Sequence, residues 1–375
     1  MKTLVKILRK PITSTLIAIL CGFLVAAVVL AATGYSPAAS FQALFSGIFS
    51  KPKYISNMII KATPIILTGL SVAFAFKTGL FNIGAEGQYI AGTIASVCVG
   101  ILLNLNPVLE IPIVVLAGIA AGAVFGGIVG YLKAKFGIHE VITSIMLNWI
   151  GLYLSNFVVN QPRFHQPNST GTYAVNGSSF TMLLPNWKTS DAGMAALRPT
   201  KWLYEVMLKT DVNFGFLVAV VFAVIISLLL YRSAKGYELR SVGFNRDAAE
   251  FAGINVNRNI TESMLIAGAL AGLAGALAIT GTSPHKLTQL AAFENNGFNG
   301  LSVALIAGSS PIGCIFAGLL FGGLLYGGQS VQNDVGAPTE IINIMIGIIV
   351  FFVALVKVVP ALADRLERKG ASHAK

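Results

Sequence analysis

Thr78–Gly79–Leu80–Phe81–Asn82–Ile83–Gly84–Ala85–Glu86–Gly87–Gln88 separates two long apolar runs and breaks the pattern of a lipid-facing segment. It holds three glycines, one carboxylate, an amide on each side of that carboxylate and no helical apolar stripe. Non-helical backbone and a carboxyl group at membrane depth are tolerated only where protein buries them or a wet cavity receives them. The stretch therefore predicts a polar, tightly packed element inside a membrane bundle, with the other helices arranged around it.

Composition agrees with that setting. Of 375 residues, 55% are hydrophobic and 11% are charged, and the mean hydropathy is +0.76. Soluble domains carry roughly a quarter charged residues, so the shortfall marks an integral membrane protein. The net charge of +11 is no nucleic-acid signal, because Lys and Arg collect at the chain ends and between the apolar runs, as the positive-inside rule requires. Cys21, Cys98 and Cys314 lie far apart in apolar runs and read as small buried hydrophobes, without a disulfide framework or metal spacing.

About ten spans are expected, the fold class being all-α, with both termini cytoplasmic and residues 1–375 forming one transmembrane domain. The first, Ile12–Ala32, follows Lys2, Lys6, Arg9 and Lys10 and is too long for a signal peptide core. The second runs from about Ile55 to Phe76 with Lys61 and Pro64 inside it, Lys61 snorkelling or pairing with a carboxylate. The third starts within the glycine-rich stretch and ends near Leu105. The fourth, Ile111–Leu132, places Gly118, Gly122, Gly126 and Gly130 on one bare stripe suited to close helix packing. The fifth is Glu140–Val159 and the sixth Phe214–Tyr231. The later ones are Ser263–Thr280, a short Gly300–Ala307, Ile312–Tyr326 and Ile341–Val359, before a tail with Arg365, Arg368 and Lys369.

Two connections stand out. Residues 160–213, with Pro162, Pro167, Pro185 and Pro199, form a long external loop, and loops of that length carry function or small elements of their own. Residues 232–260 carry Arg232, Lys235, Arg240, Arg246 and Arg258 and read as cytoplasmic. Within them Asn245 suits the N-cap of a short helix Arg246–Phe251 closed by Gly253, a shape for docking a soluble partner. The run Gly79–Gly84 has a weak echo in Asn296–Leu301, as an internal repeat would leave.

No phosphate-cradling G-x-x-x-x-G-K-[ST], nucleophile elbow or H-E-x-x-H is present, and His139, His165, His285 and His373 are scattered. A catalytic site, a metal site and a cofactor are not expected. Active transport by this chain would need an ATPase supplied from outside. The polar groups at depth are Lys61, Asn82, Glu86, Gln88, Glu140, Asn148 and Asn156. Glu86 and Glu140 each open a helix, so each reads either as an acceptor for backbone N–H groups or as a contact on a substrate path. Asn156, near the outer end of its span, reads as facing the headgroups. In an ion-coupled transporter Glu86, Glu140 or Lys61 would carry the coupling ion. A purely structural scaffold is disfavoured by this polar core.

Gly79–Gln88 resembles the signature of permease subunits of bacterial ABC importers in the ribose, nucleoside and branched-chain amino acid group. His139–Glu140–Val141–Ile142 with Met146–Leu147–Asn148 resembles that group's NEVI…MLN segment, with His139 in place of the usual Asn. Gly236–Gly243, then Asn245, Ala248, Ala249, Ala252, Gly253 and Ile254, is similar to the group's ATPase-docking loop. Gly297–Phe298, Val303–Ala304–Leu305 and Pro311–Ile312–Gly313 resemble its later signature. The long external loop and extended N-terminus look most like the nucleoside permeases. The resemblance implies a multi-pass permease of the bacterial cell membrane, with no enzymatic activity of its own. Its partners would be a cytoplasmic ABC ATPase, a second permease subunit and an extracellular substrate-binding lipoprotein. It also implies docking through Arg240, Gly243, Asn245, Ala248, Ala249 and Gly253. A substrate path would draw on Phe81, Asn82, Glu86, Gln88, Glu140, Asn148, Asn156, Phe298 and Asn299. A monosaccharide such as ribose or galactose is the alternative solute.

Overall fold

The computed structural model describes residues 11–357, so the basic residues of the N-terminus and tail lie outside it. The named elements of the described residues are all helices: α1 (Pro11–Ala32), α2 (Pro37–Phe49), α3 (Pro52–Lys77), α4 (Ala85–Leu102), α5 (Pro107–Phe136) and α6 (Glu140–Val159). Then follow α7 (Pro185–Thr189), α8 (Asp191–Leu197), α9 (Lys201–Lys209), α10 (Gly215–Arg232), α11 (Ala234–Phe244) and α12 (Arg246–Phe251). The last four are α13 (Val256–Gly281), α14 (Asn296–Ile306), α15 (Pro311–Val335) and α16 (Thr339–Ala354). Seven of these (α3, α4, α5, α6, α10, α13 and α15) are long and apolar enough to cross a membrane. Among the described residues there are only isolated β-bridges and no named strand.

Local chemistry sets the boundaries. Asn106 accepts the Val108 N–H at 3.1 Å ahead of Pro107, which opens α5, and Gly137 at φ 68° closes it. His139 caps α6 through Nδ1, which accepts the Val141 N–H at 3.3 Å, so the histidine fills the capping role that an asparagine would. Asn245 Oδ1 accepts the Ala248 N–H at 3.0 Å and starts α12, and Gly253 at φ 82° follows its end. α13 begins seven residues before the expected Ser263 because Asn255 caps it at Arg258, which makes the polar turn Val256–Glu262 helical. α15 continues past Tyr326 because Gly327 and Gly328 pack against neighbours and do not end the helix. α2 was not expected, although Ser36 and Pro37 form a regular helix start.

Contacts divide the chain into two units, Pro52–Gly322 and the pairing of Met1–Lys51 with Gly323–Lys375. In the second of these Gly22 lets α1 meet Ile349 of α16, and Phe23 packs on Phe41 and Phe45 of α2. In the unit Pro52–Gly322, α13 packs against α3, α4 and α5. The glycine stripe of α5 is its contact with α13. A Cβ on Gly122 would meet Gly272 Cα at 2.6 Å, and one on Gly118 would meet Ala276 Cβ at 2.7 Å. Gly268 and Gly272 form the matching stripe on α13, so two backbones touch where side chains would otherwise separate them.

Residues 160–213 carry a 3-10 turn (Gly177–Ser179) and the short helices α7, α8 and α9. They are tied to the segment after α13 by backbone bonds Thr172 N–H to Leu287 O (2.9 Å) and Val175 N–H to His285 O (2.9 Å).

Candidate functional site: two helix starts on one carboxylate

Residues 78–84 are non-helical, as expected, and α4 begins at Ala85. The segment 282–295 returns from the end of α13, and α14 begins at Asn296 after Asn295 at φ 64°. The two helix starts meet. Glu86 is fully buried, its Oε1 accepts the Asn295 N–H at 2.9 Å and its Oε2 accepts the Gly297 N–H at 2.6 Å. The carboxylate of α4 therefore supplies the capping acceptor that α14 lacks locally, and it sits where the positive ends of both helix dipoles converge. Gly297 has to be glycine, since a Cβ there would enter the Glu86 backbone. Thr68 Oγ1 of α3 donates to Asn296 O at 2.8 Å, and Gly300 rests on Thr68 and Gly69.

The glycine-rich loop is held from both sides. Asn82 and Gln88 exchange amide hydrogen bonds (2.9 and 3.1 Å), and Asn82 Nδ2 also donates to Ser71 Oγ at 3.1 Å. Ser71 in turn donates to Ala267 O of α13 at 2.6 Å. One face of α6 forms the other wall, with Glu140, Ser144 and Asn148 a helical turn apart. Asn148 Oδ1 accepts the Gly87 N–H at 2.8 Å while its Nδ2 donates to Ile83 O at 3.1 Å. Glu140 pairs with Lys133 Nζ at 2.9 Å and lies beside the Phe81 backbone N–H.

Asn82, Glu86, Gln88 and Asn148 are brought together, but in one buried network whose amides and carboxylate bond to protein. Glu140 belongs to an ion pair at the basic end of α5 and α6. Asn156 does not face outward: it exchanges two hydrogen bonds with the Leu290 backbone (2.9 and 2.8 Å) and clamps the return segment. Phe81 packs on Phe76, and Phe298 on Phe293, which meets Trp149. Asn299 sits half-buried in the first turns of α14. The echo between Gly79–Gly84 and Asn296–Leu301 is not structural, for the first stretch is a loop and the second is helix. Tyr89, one turn into α4, was not singled out by sequence, yet its hydroxyl lies beside Glu294 and Asn296. It lines a cavity of about 180 Å³ with Thr93, Thr282, His285, Lys286 and Glu294. His285 is buried, with Nδ1 2.8 Å from Ile279 O.

At the basic end, Gly243 of α11 packs on the Lys77 carbonyl and on Gly79. Of the residues expected to dock a partner, Gly243 and the buried Ala249 face inward and fasten α11 and α12 to the protein. Arg240 lies over the Tyr231 ring, while Asn245, Ala248 and Gly253 are exposed. Sequence reasoning passed over Phe244 and Phe251, which are 96% and 98% exposed. The available signal was two large apolar side chains in a polar loop. Lys235 pairs with Glu238 at 3.2 Å and with Glu262 of α13, to which Arg258 also bonds at 2.6 Å.

Seven helices are long and apolar enough to cross a membrane, the pattern of a multi-pass membrane protein. The chain belongs to the family described as branched-chain amino acid transport system / permease component, which matches residues 54–354. It is therefore a transport subunit and not an enzyme. It is 38% identical to the guanosine ABC transporter permease protein NupP of Bacillus subtilis, over 95% of this chain and 97% of that one. It is 36% identical to the nucleoside ABC transporter permease protein NupB of Lactococcus lactis, over 96% and 95%. Identity to the glucose ABC transporter permease protein TsgB13 of Haloferax volcanii is 30%, over 89% and 84%. A second guanosine permease of the same Bacillus, NupQ, aligns at 27% over 70% of this chain and 78% of its own length, so such permeases occur in pairs. No solved structure matches the chain.

Proposed function

We propose that this chain is one of two permease subunits of an ABC importer that carries nucleosides across the cell membrane. The observation that carries the ATP-driven part is the seat of α11 and α12. Gly243 presses on Gly79 of the central loop, while Phe244 and Phe251 point away from the protein. A cytoplasmic ATPase that grips the two phenylalanines would move a rigid element touching the glycine-rich loop directly. The nucleoside assignment draws on NupP and NupB, to which the chain is similar along nearly its whole length. A binding lipoprotein would deliver the solute from outside.

In this reading α1, α14 and α16 complete ten crossings, α14 doing so together with the extended return segment before it. The end that carries Lys77, Lys133, Lys135, Arg232, Lys235 and Arg246 faces the cytoplasm by the positive-inside rule. Both termini then lie on that side. The ion-coupled alternative is less well supported, because Glu86 is bonded to two backbone N–H groups and Glu140 to Lys133.

The test is uptake of labelled guanosine, adenosine, uridine and ribose in cells with and without the gene, before and after ATP depletion at constant proton gradient. ATP-dependent nucleoside uptake that disappears on deletion is the expected result. Loss of ribose uptake alone would replace the solute, and uptake indifferent to ATP would remove the ATPase.

Docking has its own test. Burying a phenylalanine side chain contributes about 1.5–3 kcal/mol, and roughly 1.4 kcal/mol is tenfold in affinity. Phe244→Ala and Phe251→Ala should each weaken co-purification of the ATPase by about tenfold or more. Membrane abundance should be unchanged, since neither ring is buried in the chain. Normal ATPase recovery with the double variant would refute this assignment.

A further inference from the structure

Lys61 lies in the tenth position of the 26-residue α3. That places it about 13 Å along the helix from Pro52 at ~1.5 Å per residue, near the middle of a helix long enough to cross a hydrocarbon layer of about 30 Å. It is exposed, and no ion pair or hydrogen bond of its ammonium is found among the described residues. The buried carboxylates Glu86, Glu110 and Glu140 are all bonded elsewhere, so the expected pairing with a carboxylate is absent. An unpaired cation at this depth is costly against lipid and is retained where water or a polar partner receives it.

The helix shows what Lys61 faces. Thr68 lies seven residues further on, within about 20° of the same face at 100° per residue, and this face meets the start of α14: Thr68 donates to Asn296 O, and Gly300 sits on Thr68. Lys61 is therefore two turns outward from the junction of the two helix starts, on the face that looks over it. Beside it, Pro64 provides no N–H for the Ile60 carbonyl, a second polar group left without its helical donor. The return segment adds the exposed Glu294 and Asn295 at the same junction. A cation, a carbonyl without its i+4 helical donor and two polar side chains over a polar junction describe a wet face.

We propose that Lys61 lines the water-filled outer half of the translocation path, where its ammonium donates a hydrogen bond to a ring carbonyl or hydroxyl oxygen of the passing solute. The inference rests on the permease reading. A neutral solute offers acceptors and no charge, so a charge-assisted hydrogen bond from one ammonium attracts it without trapping it as an ion pair would.

The experiment uses the full importer in cells, in a background with Cys21, Cys98 and Cys314 replaced by serine. Lys61→Cys should react with a charged, membrane-impermeant methanethiosulfonate added outside, and saturating guanosine should slow that reaction severalfold. Lys61→Met should lower guanosine uptake at least tenfold at normal membrane abundance, with Lys61→Arg recovering part of it. Absence of labelling would place Lys61 against lipid or protein and overturn the proposal. So would labelling combined with full uptake by Lys61→Met, which removes the solute contact. If the unmodified importer takes up no nucleoside, the solute assignment fails, while labelling still decides whether Lys61 faces water.

Discussion

Glu86→Ala is expected to lose the junction between α4 and α14 and with it uptake. The substitution leaves the N–H groups of Asn295 and Gly297 without their acceptors at a site where Glu86 itself is fully buried. A buried donor left unpaired costs about 1–3 kcal/mol; that cost falls in full on the buried Gly297 N–H, while water partly replaces the acceptor at the exposed Asn295. A loss of about 1–3 kcal/mol or somewhat more is a large fraction of the roughly 5–15 kcal/mol that stabilises a typical protein. Glu86→Gln should be milder, because one oxygen remains while the amide NH₂ confronts the other backbone N–H. Thermal unfolding of the purified protein in detergent should rank the wild type above Gln and Gln above Ala, and uptake should follow the same order. An Ala variant with unchanged midpoint and transport would show that the helix starts are held by other contacts.

The second large effect is expected at the crossing of α5 and α13. A Cβ on Gly122 would overlap Gly272 Cα at 2.6 Å and approach the Gly268 carbonyl more closely still. These are backbone atoms of a helix and cannot swing aside as a side chain would. Overpacking a close-packed site costs typically about 1–3 kcal/mol for small additions. Gly122→Leu, which adds four carbons, should therefore prevent the pair from closing. The expected result is loss of folded protein from the membrane fraction and aggregation on detergent extraction. Gly127→Ala is the control on the same helix, for its nearest neighbour is Leu265 Cδ1 at 3.8 Å. Its abundance and uptake should match the wild type. Equal abundance of Gly122→Leu would mean that the two helices do not pack by their glycine stripes.

Both predictions depend on residues distant in sequence, which marks the division between what the chain spells out and what folding adds. Short-range signals were readable. The span Glu140–Val159 has the expected ends because His139 caps its start and the apolar run stops at Asn160. Asn245 and Gly253 bracket α12 because a cap and a left-handed residue act within one turn. The α5 glycines, spaced by four, announced a helix contact through their periodicity alone. The polar stretch at 78–88 was legible as a buried element, because lipid tolerates nothing else there.

The partners were not legible. Glu86 bonds to residues 209 and 211 positions away, and Asn156 to one 134 positions away. A carboxylate opening a helix carries no mark of which distant N–H it will meet, so Glu86 read as an acceptor for backbone N–H groups before it read as a path residue, with its partners unnamed. Gly243 looked like part of a docking surface until its fit against Gly79 showed that it faces inward, leaving Phe244 and Phe251 outside. Lys61 looked like a candidate for pairing, and its isolation appeared only once Glu86 and Glu140 were seen to be occupied. Helix ends and stripes follow from interactions within a few residues of chain, which the local sequence specifies. Which buried polar group answers which is set by the packing of α3, α4, α6, α13 and α14 together, and only the tertiary structure contains that.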